Sequence, residues 1–165
     1  MNLRDTTLRQ TLEKLLRGEG AHVSLLGALE GLPPEWRTHR PPGLHSIWQL
    51  LEHVRIAQHD LLHYTVDPAW RSPEWPGGYW PENRSDLPES AWQAALEGYA
   101  RDLEAFVALV RDPTCDLVAP LPHHPEHTPL RQVLLAADHT AYHAGQIVDL
   151  RRMLGDWPPK RRSRS

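Results

Sequence analysis

Residues 128–154 read TPLRQVLLAADHTAYHAGQIVDLRRML. Thr128 is a good N-cap, and Pro129 suits the first helical position, where its missing N–H has no intrahelical acceptor. Arg151 and Arg152 fall in the last turn, where cations favour the macrodipole. Gly155 is a C-terminal stop, and Pro158-Pro159 prevents continuation. The stretch therefore predicts a helix from Thr128 to about Leu154. At 3.6 residues per turn, His139 and His143 share a face with Ala136, Ile147, Leu150 and Leu154. Leu130, Val133, Leu134, Ala137, Ala144 and Val148 line the opposite face. A helix apolar nearly all round is expected to be largely buried, and imidazoles on a buried face must be hydrogen-bonded or metal-bound.

Working outward, three more segments carry helical periodicity, and proline-rich stretches separate them. The first runs from about Asp5 to Glu30, with Leu8, Leu12, Leu15, Leu16, Val23, Leu26 and Leu29 on its stripe. Gly18 and Gly20 weaken its middle, and Gly31-Leu32-Pro33-Pro34 ends it. The second runs from Ser46 to Val66. Ser46 and Gln49 form a capping-box pattern, and Asp67-Pro68 closes it. The third runs from Leu87 to Arg111, with Asp86 and Glu89 as candidate caps and Pro113 as the stop. No segment alternates with period two. The expectation is an all-α fold, a four-helix bundle with connections longer than the roughly 2–8 residues usual in bundles. Residues 1–157 form the expected single domain, and 158–165 a basic, disordered tail.

Composition narrows the function classes. A chain of 165 residues fits one domain with a real core. Its net charge of −3 argues against a nucleic-acid binder. No apolar run reaches the ~20 residues of a membrane span, and the first ten residues lack a signal-peptide core. The single cysteine, Cys115, rules out an internal disulfide and fits a reducing, cytoplasmic setting. Proline, at 16 residues, and histidine, at 11, are both abundant.

The sharpest chemical feature is His139-Thr140-Ala141-Tyr142-His143. Imidazoles at i and i+4 can hold one divalent metal. Thr140 stands where a zinc protease of the HExxH type has its glutamate, which excludes that class. A third ligand is needed. His53 sits at the edge of the second helix's stripe, on the flank with Ala57, Asp60 and Tyr64. If the second and fourth helices pack antiparallel, His53, His139 and His143 come to one level. His59 and His63 point to the opposite flank and are expected at the surface, and His22 is a spare ligand. His123, His124 and His127 lie in a proline-rich connection where a second metal site is not expected. The connection from Asp67 to Arg84 carries Trp70, Trp75, Tyr79 and Trp80, which either wall a metal pocket or cap the core. No catalytic residue is assigned, although Asp60, Tyr142 and Gln146 are candidate bases by proximity.

The stretch Ser46-Ile47-Trp48-Gln49-Leu50-Leu51-Glu52-His53 resembles the second-helix motif of DinB-like proteins, the DinB/YfiT-like superfamily. Asp138 to Ile147 resembles that family's HxxxHxGQI motif. The resemblance implies a bundle of up-down-down-up topology and a divalent ion, nickel or zinc foremost, held by His53, His139 and His143. It also implies a homodimer, which the tryptophan count favours too. Three neutral nitrogens leave an open coordination position, the pattern of a catalytic site. Characterised relatives include thiol-dependent transferases, so the expected function is transfer of a low-molecular-weight thiol, such as bacillithiol or mycothiol, to a small-molecule substrate. The rival expectations are a hydrolase using metal-bound hydroxide and a non-catalytic, stress-related metal-binding dimer. An intact substrate-sized cavity beside the metal would count against the last.

Overall fold

Gly18 stands at φ +69°, and this one residue divides the first apolar run. Its N–H donates to the Leu15 carbonyl at 3.0 Å, and the Glu19 N–H donates to the Lys14 carbonyl at 2.9 Å. This is the bond pair that closes a helix on a left-handed residue. The computed structural model describes residues 3–159, so most of the expected tail lies outside the described residues. Among them are six α-helices and no strand. They are α1 (Leu3–Leu16), α2 (Leu25–Leu29), α3 (Pro34–Arg37), α4 (Ile47–Val66), α5 (Glu89–Arg111) and α6 (Pro129–Met153).

The fold is thus all-α as expected, but the single helix read from Asp5 to Glu30 is corrected to two, α1 and α2. Ser24 restarts the chain as the N-cap of α2, its Oγ accepting from the Gly27 N–H at 3.1 Å. Pro34 opens α3 rather than ending a helix, because proline's fixed φ suits a first helical residue. The expected Asp86 or Glu89 cap of α5 is not made. Pro88 occupies the N-cap without a side-chain bond, and Glu89 pairs with Arg37 instead.

α4 and α6 match their expected spans closely, because both ends of each are capped by local chemistry. Ser46 and Gln49 form both bonds of the capping box. The Thr128 hydroxyl accepts from the Arg131 N–H at 3.2 Å. Gly155 closes α6 at φ +71°. Arg151 lies in the last turn of α6 as expected, and it does more there than face the macrodipole. It is fully buried, donates to the Ala28 and Glu30 carbonyls at 2.8 Å, and pairs with Asp156 at 2.7 Å. It therefore satisfies the carbonyls that the short α2 leaves open. Arg9 does the same for α5, reaching the carbonyls of Val110, Asp112 and Cys115.

The long helices pack around one core that includes Leu12, Leu51, Val54, Phe106, Val133 and Ile147. α4 lies against α5 and α6, and α1 lies against the same two. Gln58 donates to the Tyr99 carbonyl and His59 meets Asp102, so numbers rise together along α4 and α5. Glu13 with Arg111 and Arg17 with Glu104 run in the opposite order along α1 and α5. α6 is less buried than its composition suggests. Leu134, Leu135 and Tyr142 are exposed, on an outer face they share with the exposed Asp138 and Asp149. No described helix is long and apolar enough to cross a membrane.

A Cβ added at Gly18 would come within 2.8 Å of the Ser24 Cβ. Gly18→Ala should therefore lower stability by about 1–2 kcal/mol, the cost of forcing a side chain into the left-handed region. Gly20, with nothing within 4 Å of its added Cβ, is the control. Gly20→Ala should stay within about 0.5 kcal/mol of the parent in urea unfolding. Equal effects at the two positions would refute this account of the break.

Candidate metal centre

α4 carries polar groups on a buried face at Ser46, Gln49, His53 and Asp60, spaced so that they point the same way. A buried polar group needs a partner, and all four find theirs in the connection between α4 and α5. The Ser46 hydroxyl donates to Asn83 Oδ1 at 2.6 Å. Gln49 Nε2 donates to the Pro81 carbonyl at 3.1 Å. His53 Nδ1 donates to the Tyr79 carbonyl at 2.9 Å. Asp60 accepts from Trp70 Nε1 at 2.8 Å and from the Tyr79 hydroxyl at 2.7 Å. The connection is thereby laid along α4 from residue 70 to residue 83.

The Tyr79 carbonyl can only accept, so the proton of His53 sits on Nδ1 and its Nε2 carries a lone pair. α6 supplies the other imidazoles. His143 Nδ1 donates to Gln146 Oε1 at 2.7 Å, which turns its Nε2 lone pair the same way. His139 Nε2 lies 3.0 Å from His53 Nε2 and 3.2 Å from His143 Nε2. A neutral His139 carries one proton, so it can satisfy at most one of the two lone pairs facing it. Ligands around an ion at about 2.0–2.1 Å would stand about 2.9–3.4 Å apart. His139 Nε2 is already at that spacing from each of the other two. His53, His139 and His143 have ligand atoms within 4.8 Å of one another, and they form the one such group of three or more His, Cys, Asp or Glu among the described residues. The donor set therefore fits a divalent cation that takes nitrogen ligands.

The surroundings keep the imidazoles neutral. Burial, then the neighbouring His143 and His53, push His139 from 6.5 down to about 4. Burial lowers His53 and His143 as well, and their hydrogen bonds to Tyr79 and Gln146 oppose it. Trp80 stacks on His53 with centroids 3.7 Å apart and planes at 5°, and it stacks on His45 at 3.9 Å. Nδ1 of His45 is buried without a hydrogen-bond partner. A cavity of about 330 Å³ next to His45 and Gln146 is lined also by Leu44, Leu50, Asp149, Leu150 and Met153. None of the three histidines lines this cavity, which reaches them through His45 and Gln146, and none lines a second cavity of about 440 Å³ between α1 and α6.

The structure thus brings together the three histidines singled out in the sequence and separates them from the others. His59 and His63 are half-buried rather than at the surface, because Asp102 accepts from His59 at 2.8 Å and Trp70 stacks on His63. His22 is exposed and bonded to the Val23 carbonyl. His123, His124 and His127 gather around Tyr64 and are not among the grouped candidate ligands. Of the candidate bases, Asp60 is engaged by the connection and Gln146 by His143. Tyr142 is exposed, with its ring centroid 5.0 Å from that of His143 in an edge-on arrangement. Tyr79 and Trp80 do wall the site, whereas Trp75 is exposed. His45 and the Tyr79 carbonyl were not legible as site groups. A signal that could have found the Tyr79 carbonyl is the run of buried polar residues on one face of α4, of which His53 and Asp60 have no side-chain partner within the helix.

A family model described as the DinB superfamily matches residues 19–147, which include all three histidines. No curated protein and no solved structure matches the chain significantly.

The depressed pKa of His139 fixes the sign of an acid effect on the metal-free protein. Between 6.5 and about 4 the unfolded chain binds the proton that the folded chain refuses, so stability falls as pH falls through that window. Melting temperatures of metal-free protein should drop more steeply there than those of His139→Asn. Parallel curves for the two proteins would contradict the burial of a neutral imidazole.

Proposed function

The chain belongs to the DinB superfamily, and from that premise we propose that it is a divalent-metal-dependent enzyme using His53, His139 and His143 as ligands and transferring a low-molecular-weight thiol to an electrophilic small molecule. The observation that carries the reading is the convergence of three imidazole nitrogens, 3.0 and 3.2 Å apart along the chain of contacts, beside a cavity of about 330 Å³. That volume falls in the range of small-molecule sites, roughly 300–1,000 Å³. It supports an enzyme over a metal-binding dimer without turnover. Nickel or zinc bound there supplies Lewis acidity, an open coordination position and preference for the thiolate form of a thiol.

The chain's own groups do the rest. The Tyr79 carbonyl and Gln146 fix the orientation of His53 and His143, as outer partners of metal-bound imidazoles do. Trp80 shields the face of His53 from water. Leu44, Leu50, Leu150 and Met153 hold the hydrocarbon part of the electrophile, and His45 and Gln146 present hydrogen-bonding groups at the end nearest the ligands. The sulfur forms a C–S bond as the leaving group departs with the bonding electrons, and the thiol proton is released to solvent. In architecture, α1, α4, α5 and α6 are read as a four-helix bundle in up-down-down-up order. The rising and falling pair numbers between α4, α5 and α1 support this order. A cytoplasmic homodimer completes the reading. A monomer mass from light scattering at micromolar concentration would remove the dimer.

The test is a mass-spectrometric search for conjugates of bacillithiol, mycothiol or glutathione with a small aryl halide. Metal-loaded protein should form a thioether. His143→Ala should reduce both metal content and conjugate by at least about 100-fold, more than loss of an outer-shell partner would cause. A hydrolysed halide without conjugate would overturn the transferase reading, and metal content unchanged in His143→Ala would overturn the site.

A further inference from the structure

Asp60 lies two helical turns beyond His53 on the same face of α4 and is 7% exposed. It contributes neither to the group of three histidines nor to the cavity beside them. Placing a carboxylate in a helix–loop interface is unfavourable unless its oxygens are hydrogen-bonded, and an apolar residue of similar size would pack there without that requirement. Both oxygens are used. Oδ1 accepts from Trp70 Nε1 and Oδ2 from the Tyr79 hydroxyl. Tyr79 is also the residue whose carbonyl accepts from His53 Nδ1, and Trp80, next in the chain, stacks on the same imidazole. One loop residue thus joins the carboxylate by its side chain to the metal-ligand candidate by its backbone.

The segment between has little structure of its own to hold it there. Apart from a single 3-10 turn at Gly77–Tyr79, residues 70–80 form no helix, and Trp75 is 72% exposed. The described side-chain hydrogen bonds from α4 to this segment are those of His53 and Asp60. The Tyr79 hydroxyl, pushed up to about 12 by burial and then by Asp60, remains a donor throughout the ordinary pH range.

We propose that Asp60 is a positioning residue for the metal centre: by clamping Trp70 and Tyr79 it holds the Tyr79 carbonyl on His53 Nδ1, and so keeps His53 Nε2 unprotonated and aimed at the ion. The inference rests on the metal reading above and adds to it a third layer of support, carboxylate to tyrosine to imidazole. Asp60→Asn retains the volume of the side chain but sets an amide N–H₂ against one of two donors. Tyr79→Phe removes the hydroxyl and keeps the carbonyl.

Cobalt(II) added to metal-free, full-length protein and followed by visible absorption tests this directly. Asp60→Asn and Tyr79→Phe should each weaken cobalt binding about tenfold, as loss of outer-shell support does elsewhere, and should shift the ligand-field bands. The double variant should bind no more weakly than Asp60→Asn alone, because both changes remove one interaction. In the metal-free state, protease cleavage between residues 70 and 80 should be faster in both variants. If Asp60→Asn does not fold, Tyr79→Phe alone carries the comparison. Wild-type affinity within twofold in the variants, or effects that add in the double variant, would overturn the inference. A wild-type protein that binds cobalt no better than His143→Ala would instead overturn the metal reading, and this inference with it.

Discussion

His139 Nε2 faces the Nε2 atoms of His53 and His143 across about 3 Å, and at least one lone pair among them has no proton to accept. The hydrogen bond from His53 to the Tyr79 carbonyl makes this so, because it fixes the His53 proton on the far side of the ring. The contact between His143 and Gln146 does the same on α6. A core that leaves lone pairs opposed in this way loses stability unless a cation resolves them. The rest of the molecule can be understood as the scaffold that holds α4 and α6 at the level where the opposition arises.

That scaffold has two parts. The helices supply distance and direction: α4 packs on both α5 and α6, and buried arginines at positions 9 and 151 satisfy the helix ends that would otherwise be open. The connection from α4 to α5 supplies orientation. It runs along α4 with bonds to Ser46, Gln49, His53 and Asp60 in turn, and it places the Trp80 indole between the site and solvent. The connection between α4 and α5 is thus part of the site, held along α4 by these hydrogen bonds and by Trp80 stacked on His53.

The spans of α4 and α6 were legible because their ends are decided locally: Ser46 with Gln49, Asp67 before Pro68, Thr128 before Pro129, Gly155 after the last turn. The break at Gly18 was half legible. Its cost to a helix is a local property, but the close approach of Ser24, which leaves no room for a Cβ at position 18, is not. The pairing of His139 with His143 follows from helical spacing, and His53 from a packing direction between two helices. Tyr79, Trp80 and His45 act through contacts between residues far apart in sequence, in a segment without periodicity, and neither spacing nor propensity reports such contacts. The last-turn position of Arg151 was legible, but its acceptors, the Ala28 and Glu30 carbonyls, were not, for the same reason.

The most direct measurement of the central claim is an anomalous-difference map from crystals grown with zinc or nickel. A single strong peak about 2.0–2.1 Å from the Nε2 atoms of His53, His139 and His143 is the result expected. A peak on His59 and His63 or on the histidines around Tyr64, with none among the three, would contradict it.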